Sequence, residues 1–382
     1  MSLIYNVLSA MYDFIIFEHS GIRNHFVDLC AIGHLLRDSG FKVAIANVTS
    51  EAKECATADF PILDLQVHPD SYKNKTAYMK AVIAELSPKT KYFYAGSILS
   101  STSLTWLKYV PKDQKIFLWA LRSFFFIFYK RLHISRSCPV DMIRAFRNAR
   151  ITKELSNVCF FVSDPIIRNE FIALGYAPWR LVIRPERTTT GLKPIKPTHN
   201  DPLSLLSIGA LREEKRVDLC IEALNTLKDS SLHFTIAGKA YETHGYDRKL
   251  EKLSCDNPYI TRISYRLNDG EYKELISNCD YLVLCDEKQP SCVTNGTMAE
   301  ALLAGKPIIA PNYNPYRYIV EKYKVGLLYE LHDQNSLIST LRQAKYTSPS
   351  VFADGIMQYQ KDFMYDTVLS DFTTDLCETL KQ

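Results

Sequence analysis

Residues 203–227 read LSLLSIGALREEKRVDLCIEALNTL. A run of six residues, four of them apolar, leads into Gly209, a basic turn holding Arg212, Lys215 and Arg216 follows, and apolar residues then recur at helical spacing to Leu227. Strand, glycine, turn and helix in that order form the first half of a parallel β-α-β unit. Outward from there the rhythm repeats. HFTIAG (233–238), YLVLCD (281–286) and KPIIAP (306–311) read as further strands, with a helix over 297–304 before the last. Upstream, DFIIF (13–17), KVAIANV (42–48), KYFYAG (91–96), KIFLWAL (115–121) and VCFFVS (158–163) alternate with amphipathic stretches such as 24–38. Between the two series, GLKPIKPTHNDP (191–202) is polar, rich in proline and without period. That composition marks a domain boundary.

The pattern predicts an α/β protein of two Rossmann-like domains facing a central cleft. Residues 1–190 form the first, 191–202 the linker, 203–350 the second, and 351–382 a helical tail that packs back on the first domain. A length of 382 residues suits two domains. With 47% hydrophobic and 23% charged residues the chain is globular. A net charge of +4 is too small to indicate nucleic acid as a partner. Ten scattered cysteines form no CxxC or Cys/His cluster, which speaks against zinc and redox motifs and fits a reducing cytoplasm. The opening residues, MSLIYNVLSAMYDFIIFEHSG, lack a basic leader and read as a first strand. No stretch is long and apolar enough to span a bilayer.

Open parallel sheets bind ligands at the carboxyl ends of their strands. Neither a dinucleotide GxGxxG nor a P-loop is present. The basic turn at 212–216 instead offers cations to a diphosphate. In PSCVTNGTMAEALLAGKPIIAP (290–311), Asn295, Gly296 and Thr297 open a helix. Free N–H groups at such a start bind phosphate, and Gly296 permits close approach. Glu300, one turn inside, suits the paired hydroxyls of a ribose. Taken singly, each segment is also compatible with an ordinary solvated turn or helix start.

Together with VSDPIIRNEFIALGYAPWRLVIRPERTTT (162–190) and IVEKYKVGLLYELHDQNSLISTL (319–341), these segments resemble the family 4, or group 1, glycosyltransferases of the two-Rossmann GT-B fold. The likeness runs in consistent order over roughly 155–345. It implies a donor site of Gly209, Arg212, Lys215, Asn295, Gly296, Thr297 and Glu300, with Lys215 neutralising the leaving diphosphate. It implies a nucleotide-sugar as substrate, no cofactor and no metal. The family's paired glutamates lie eight residues apart; Glu300 matches the second, while Cys292 stands at the first. Ala210 stands where the motif arginine follows the glycine. Polysaccharide-assembly relatives with Asn-Gly-Thr loops also lack the first glutamate.

In this fold the first domain takes the acceptor. The loop after the first strand supplies Gly21, Arg23 and His25, with Glu18, His19 and His25 as titratable candidates and Glu18 and His25 as catalytic ones. LRSFFFIFYKRLHISRS (121–137) sets five aromatics beside basic residues, and Arg144, Arg147 and Arg150 follow. An apolar patch beside a basic one suits an anionic membrane surface. The expectation is a cytoplasmic glycosyltransferase, peripheral on the inner face of the cell membrane, acting on a glycan or lipid-linked acceptor in surface-polysaccharide biosynthesis. Two alternatives share the donor site: a nucleotide-sugar 2-epimerase, and a non-catalytic nucleotide-sugar-binding subunit.

Overall fold

The computed structural model describes residues 12–18, 25–48, 59–97, 103–120, 139–194, 200–240, 245–288 and 295–382. They form two compact units. Residues up to Pro185 and from Val368 to Gln382 belong to unit 1; Glu186–Gln289 and Asn295–Thr367 belong to unit 2.

Unit 1 is a seven-stranded sheet in the order β3-β2-β1-β4-β5-β6-β7. Its strands are β1 (Tyr12–Phe17), β2 (Val43–Ala46), β3 (Ile62–Leu63), β4 (Thr90–Ser97), β5 (Lys115–Ala120), β6 (Val158–Val162) and β7 (Leu181–Ile183). Every pairing is parallel. The connecting helices are α1 (His25–Asp38), α2 (Lys75–Leu86), α3 (Pro139–Glu154) and α4 (Pro165–Ala173). β6 is buried at all five positions, as a strand covered on both faces must be. Asp164 caps α4 by accepting from the N–H groups of Ile166 and Ile167, and Pro165 fills its first position. Gly175, at φ +91°, follows its end.

Alternation along these strands sorts the core into two faces. Ile15, Phe17, Phe93, Leu118 and Phe160 share one cluster with residues of α2 and α4. On the other face Phe161 meets Phe372 at 5.3 Å between ring centroids.

Unit 2 has six parallel strands in the order β10-β9-β8-β11-β12-β13. They are β8 (Leu203–Ile208), β9 (Leu232–Ala237), β10 (Ile260–Ile263), β11 (Tyr281–Val283), β12 (Ile308–Pro311) and β13 (Gly326–Tyr329). Its helices are α5 (Val217–Leu227), α6 (Tyr246–Ser254), α7 (Asp269–Asn278), α8 (Gly296–Leu303), α9 (Tyr316–Tyr323), α10 (Gln334–Tyr346) and α11 (Ala353–Asp362). α12 (Tyr365–Lys381) begins in unit 2 and continues as the final segment of unit 1.

The units divide at 185/186, ahead of the 190/191 boundary read from composition. The reason is local bonding. The side chain of Gln360 on α11 accepts from the Lys193 N–H and donates to the Lys193 carbonyl, both at 2.9 Å. The N–H of Thr189 donates to the carbonyl of Phe363. The proline-rich stretch is therefore fastened to unit 2 at its start. β10 and α6 went unread in the sequence, because ITRI is short and carries an arginine and KLEKLS is mostly charged or polar.

Candidate active site

Strand order in unit 2 reverses between β8 and β11, whose registered pairs are Tyr281–Leu205 and Leu282–Leu206. Loops leaving two such strands part company and open a crevice, the place where open α/β sheets hold ligands. The donor segments leave from these two strands.

Gly209 follows β8 at φ +115°, outside the range of an L side chain, and donates its N–H to Ala237. A Cβ on Gly238 would collide with the Gly209 carbonyl. Glu213–Lys215 then form one tight helical turn, and Arg216 takes a left-handed conformation at φ +44° before α5 begins. That uncommon backbone is held from below. Asp218, 1% exposed, accepts from Lys249 Nζ at 2.6 Å, Tyr246 OH at 3.0 Å and Arg216 Nε at 3.4 Å. Burial alone would raise the Asp218 carboxyl, but these partners outweigh it and hold it below the ordinary value.

Lys215 points at the second loop. Its Nζ lies 2.6 Å from Oδ1 of Asp286, beyond the end of β11. Oδ2 of Asp286 accepts from Asn295 Nδ2 at 3.1 Å and from Tyr316 OH at 2.8 Å. Its main-chain carbonyl accepts from Tyr313 OH. The Glu287 N–H donates to Glu214 O at 2.8 Å, so main chain and side chains both join the two loops. Asn295 also caps α8, accepting from the Met298 N–H at 3.1 Å. Gly296 and Thr297 are the first residues of that helix.

Glu300 lies one turn further in. Its Oε1 accepts from Arg187 Nε at 3.0 Å and its Oε2 from Tyr272 OH at 2.6 Å. Burial, and then the Glu300 carboxylate itself, push the Tyr272 hydroxyl upward, so it stays protonated and donating. Beside this triad is a pocket of about 460 Å³ lined by residues that include Arg187, Lys193, Tyr272, Ile276 and Glu300.

The structure thus brings Lys215 to the start of α8 through Asp286, with Asn295, Gly296, Thr297 and Glu300 on that one helix. Arg212 stays apart, exposed and paired with Glu214 at 3.2 Å. In unit 1 Glu18 follows β1, 1% exposed, where the strand order reverses between β1 and β4. Its carboxylate lies over Gly96, and a Cβ there would collide with it. His25 is the first residue of α1; its side chain lies outside the described residues, as do His19, Gly21, Arg23, Cys292 and the aromatic run of 124–129.

Sequence reasoning missed four side chains of the site. Asp286 was visible as an acid ending an apolar run. Arg187 was visible as a charge in the turn after β7. Nothing distinguished Tyr272 and Tyr316 among 23 tyrosines.

This architecture is that of the GT-B glycosyltransferases. The chain superposes on sucrose-phosphate synthase from Thermosynechococcus elongatus (13% identity, 94% of this chain and 96% of that one, TM-score 0.67). It also superposes on HepE of Anabaena in complex with UDP (13% identity, 97% and 99%, TM-score 0.69), and on WaaG, a glycosyltransferase involved in lipopolysaccharide biosynthesis (15% identity, 93% and 98%, TM-score 0.62). At such identities these likenesses speak for the fold. Residues 191–348 match the family model described as glycosyl transferases group 1, a stretch that holds the candidate donor residues from Gly209 to Glu300. The chain thus has the GT-B fold, and its residues 191–348 are similar to the group 1 glycosyl transferases. No curated protein matches the chain.

Proposed function

We propose that the protein moves a sugar from a nucleotide-sugar to a glycan or lipid-linked acceptor in the assembly of a surface polysaccharide. The observation that carries the reading is the junction of Lys215 with the start of α8 through Asp286, with Glu300 one turn behind. A diphosphate seated on the α8 N–H groups meets the Lys215 ammonium, and both stabilise the charge that develops as the anomeric C–O bond breaks. Glu300 takes the ribose. A carboxylate has about four lone-pair sites; Arg187 and Tyr272 use two, leaving room for two hydroxyls. The acceptor hydroxyl gives up its proton as its oxygen bonds the anomeric carbon, a step assigned to Glu18 or His25.

HepE has been solved with UDP, and with UDP-glucose, in the same fold. Contact with an anionic membrane is supported by α3. Ile143, 68% exposed, shares an outward face with Arg147 and Arg150 at spacings of four and seven. Among the described residues no helix is long and apolar enough to cross a membrane.

A thermal-shift panel of UDP-, GDP- and dTDP-sugars tests the reading, with a CMP-sugar, which carries a single phosphate, as the control. A ligand at a hundred times its dissociation constant adds about 2.7 kcal/mol of stability. Transfer to an acceptor should follow for the donor that stabilises. If no member of the panel stabilises the protein the reading fails, and product from donor alone would identify an epimerase.

A further inference from the structure

Lys215, the cation assigned to the diphosphate, is already engaged. Its Nζ sits 2.6 Å from Asp286 Oδ1, with the two side chains 25% and 13% exposed. The partners differ in freedom. Asp286 is pinned: its other oxygen accepts from Asn295 and Tyr316, and the loop carrying it is bonded to Glu214 through the Glu287 N–H. Asn295 is in turn fixed as the cap of α8. Burial, and then Asp286, push the Tyr316 hydroxyl far upward, so this donor is permanent. Lys215 is an ammonium on a flexible four-carbon stem. When an anion reaches the start of α8, the lysine is the partner that can turn.

We propose that Asp286 is a positioning residue that holds Lys215 in the empty site and competes with the diphosphate for it, which favours release of the spent nucleoside diphosphate. The inference rests on the donor-site reading above. On arrival the ion pair is exchanged for a lysine–phosphate contact. After transfer the exchange runs backward, and the fixed carboxylate draws the lysine off the product. Without that carboxylate, Lys215 and the α8 N–H groups would hold the product more tightly than turnover allows, since binding that favours the product equally with the transition state does not speed the reaction.

Calorimetry with UDP, GDP and dTDP, and with the corresponding nucleosides, tests this on the full chain. Asp286→Asn should bind the diphosphate that wild type prefers about tenfold more tightly, equivalent to about 1.4 kcal/mol. Its affinity for the nucleoside should not change, and KM for the donor and kcat should fall together. Asp286→Ser removes the same charge and serves if the Asn variant folds poorly; Asp286→Glu, which keeps the charge, should not tighten binding. In a Lys215→Ala background the gain should shrink. Unchanged or weakened diphosphate binding in both neutral variants overturns the inference while leaving the donor-site reading intact. A full gain without Lys215 also overturns it, because Asp286 would then act by simple repulsion. If wild type binds none of the three diphosphates, the donor-site reading falls and the inference with it.

Discussion

Arg187 and Glu300, 113 positions apart, meet at 3.0 Å through Nε and Oε1. The arginine belongs to the turn that follows β7, the glutamate to the first turns of α8. With Tyr272 on the other oxygen, the carboxylate is aimed before any ligand arrives. Such preorganisation lowers what binding costs in ordering.

Glu300→Gln should therefore weaken nucleotide binding, and Glu300→Ala should weaken it further. Each charge-assisted hydrogen bond to a ribose hydroxyl is worth about 1.5–3 kcal/mol. A 2′,3′-dideoxynucleotide should bind wild type poorly and be nearly indifferent to either change. If the dideoxy ligand loses as much affinity as the natural one, Glu300 does not read the ribose.

Lys215→Ala should impair turnover more than it weakens binding of the free nucleoside, because its charge matters most as the diphosphate departs. Steady-state kinetics beside nucleoside titrations separate the two. Equal losses in both would make the lysine merely structural.

Asp218→Asn should lower stability at neutral pH by about 1.5–3 kcal/mol, the worth of a hydrogen bond to a charged group. The sign of its pH dependence follows from a carboxyl held below its unfolded value. Its contribution is complete above the unfolded pKa of about 3.9 and is lost as pH falls through the folded one. Urea midpoints of wild type and variant should differ at pH 7 and converge below about pH 4. A gap that stays constant down to pH 3 would count against the bonds to Arg216, Lys249 and Tyr246 as its source.

Replacing Arg144, Arg147 and Arg150 with Glu should release the protein from anionic liposomes, since each basic residue near such a surface contributes about 1 kcal/mol. Sedimentation with vesicles at low salt reads this directly. A wild type that ignores anionic vesicles there removes the membrane from the account.

Much of this was legible in the chain. Period and punctuation mark a strand wherever burial on both faces demands an unbroken apolar run, as at VCFFV. Gly209 and Lys215 stand out in the sequence, the one as a glycine closing a strand and the other as a cation in the turn before a helix. The supporting groups were not legible. Tyr272 meets Glu300 across 28 residues and Tyr316 meets Asp286 across 30, and nothing local in either helix signals the partner. A tyrosine on a half-buried helix face looks the same whether its hydroxyl meets water or a carboxylate. β11 also ended sooner than the apolar run, at Val283 rather than near Asp286, although the Leu284 N–H still donates to the Ile309 carbonyl.

The return of residues 368–382 to unit 1 has a consequence for how the protein is made. Phe372 and Leu376, both fully buried, come from the last helix, and Phe372 packs against Phe161 on the sheet. During synthesis the strands of unit 1 emerge first, yet one of their faces lacks this covering until all of unit 2 has been translated. Unit 2 completes its own sheet earlier in the programme. The nascent chain must therefore carry an unfinished, sticky sheet through the translation of a whole second domain, a circumstance that invites chaperones. A stop codon near 367 should be more damaging than the loss of fifteen surface residues, because it would remove the Phe372 ring that packs on Phe161 from every molecule produced.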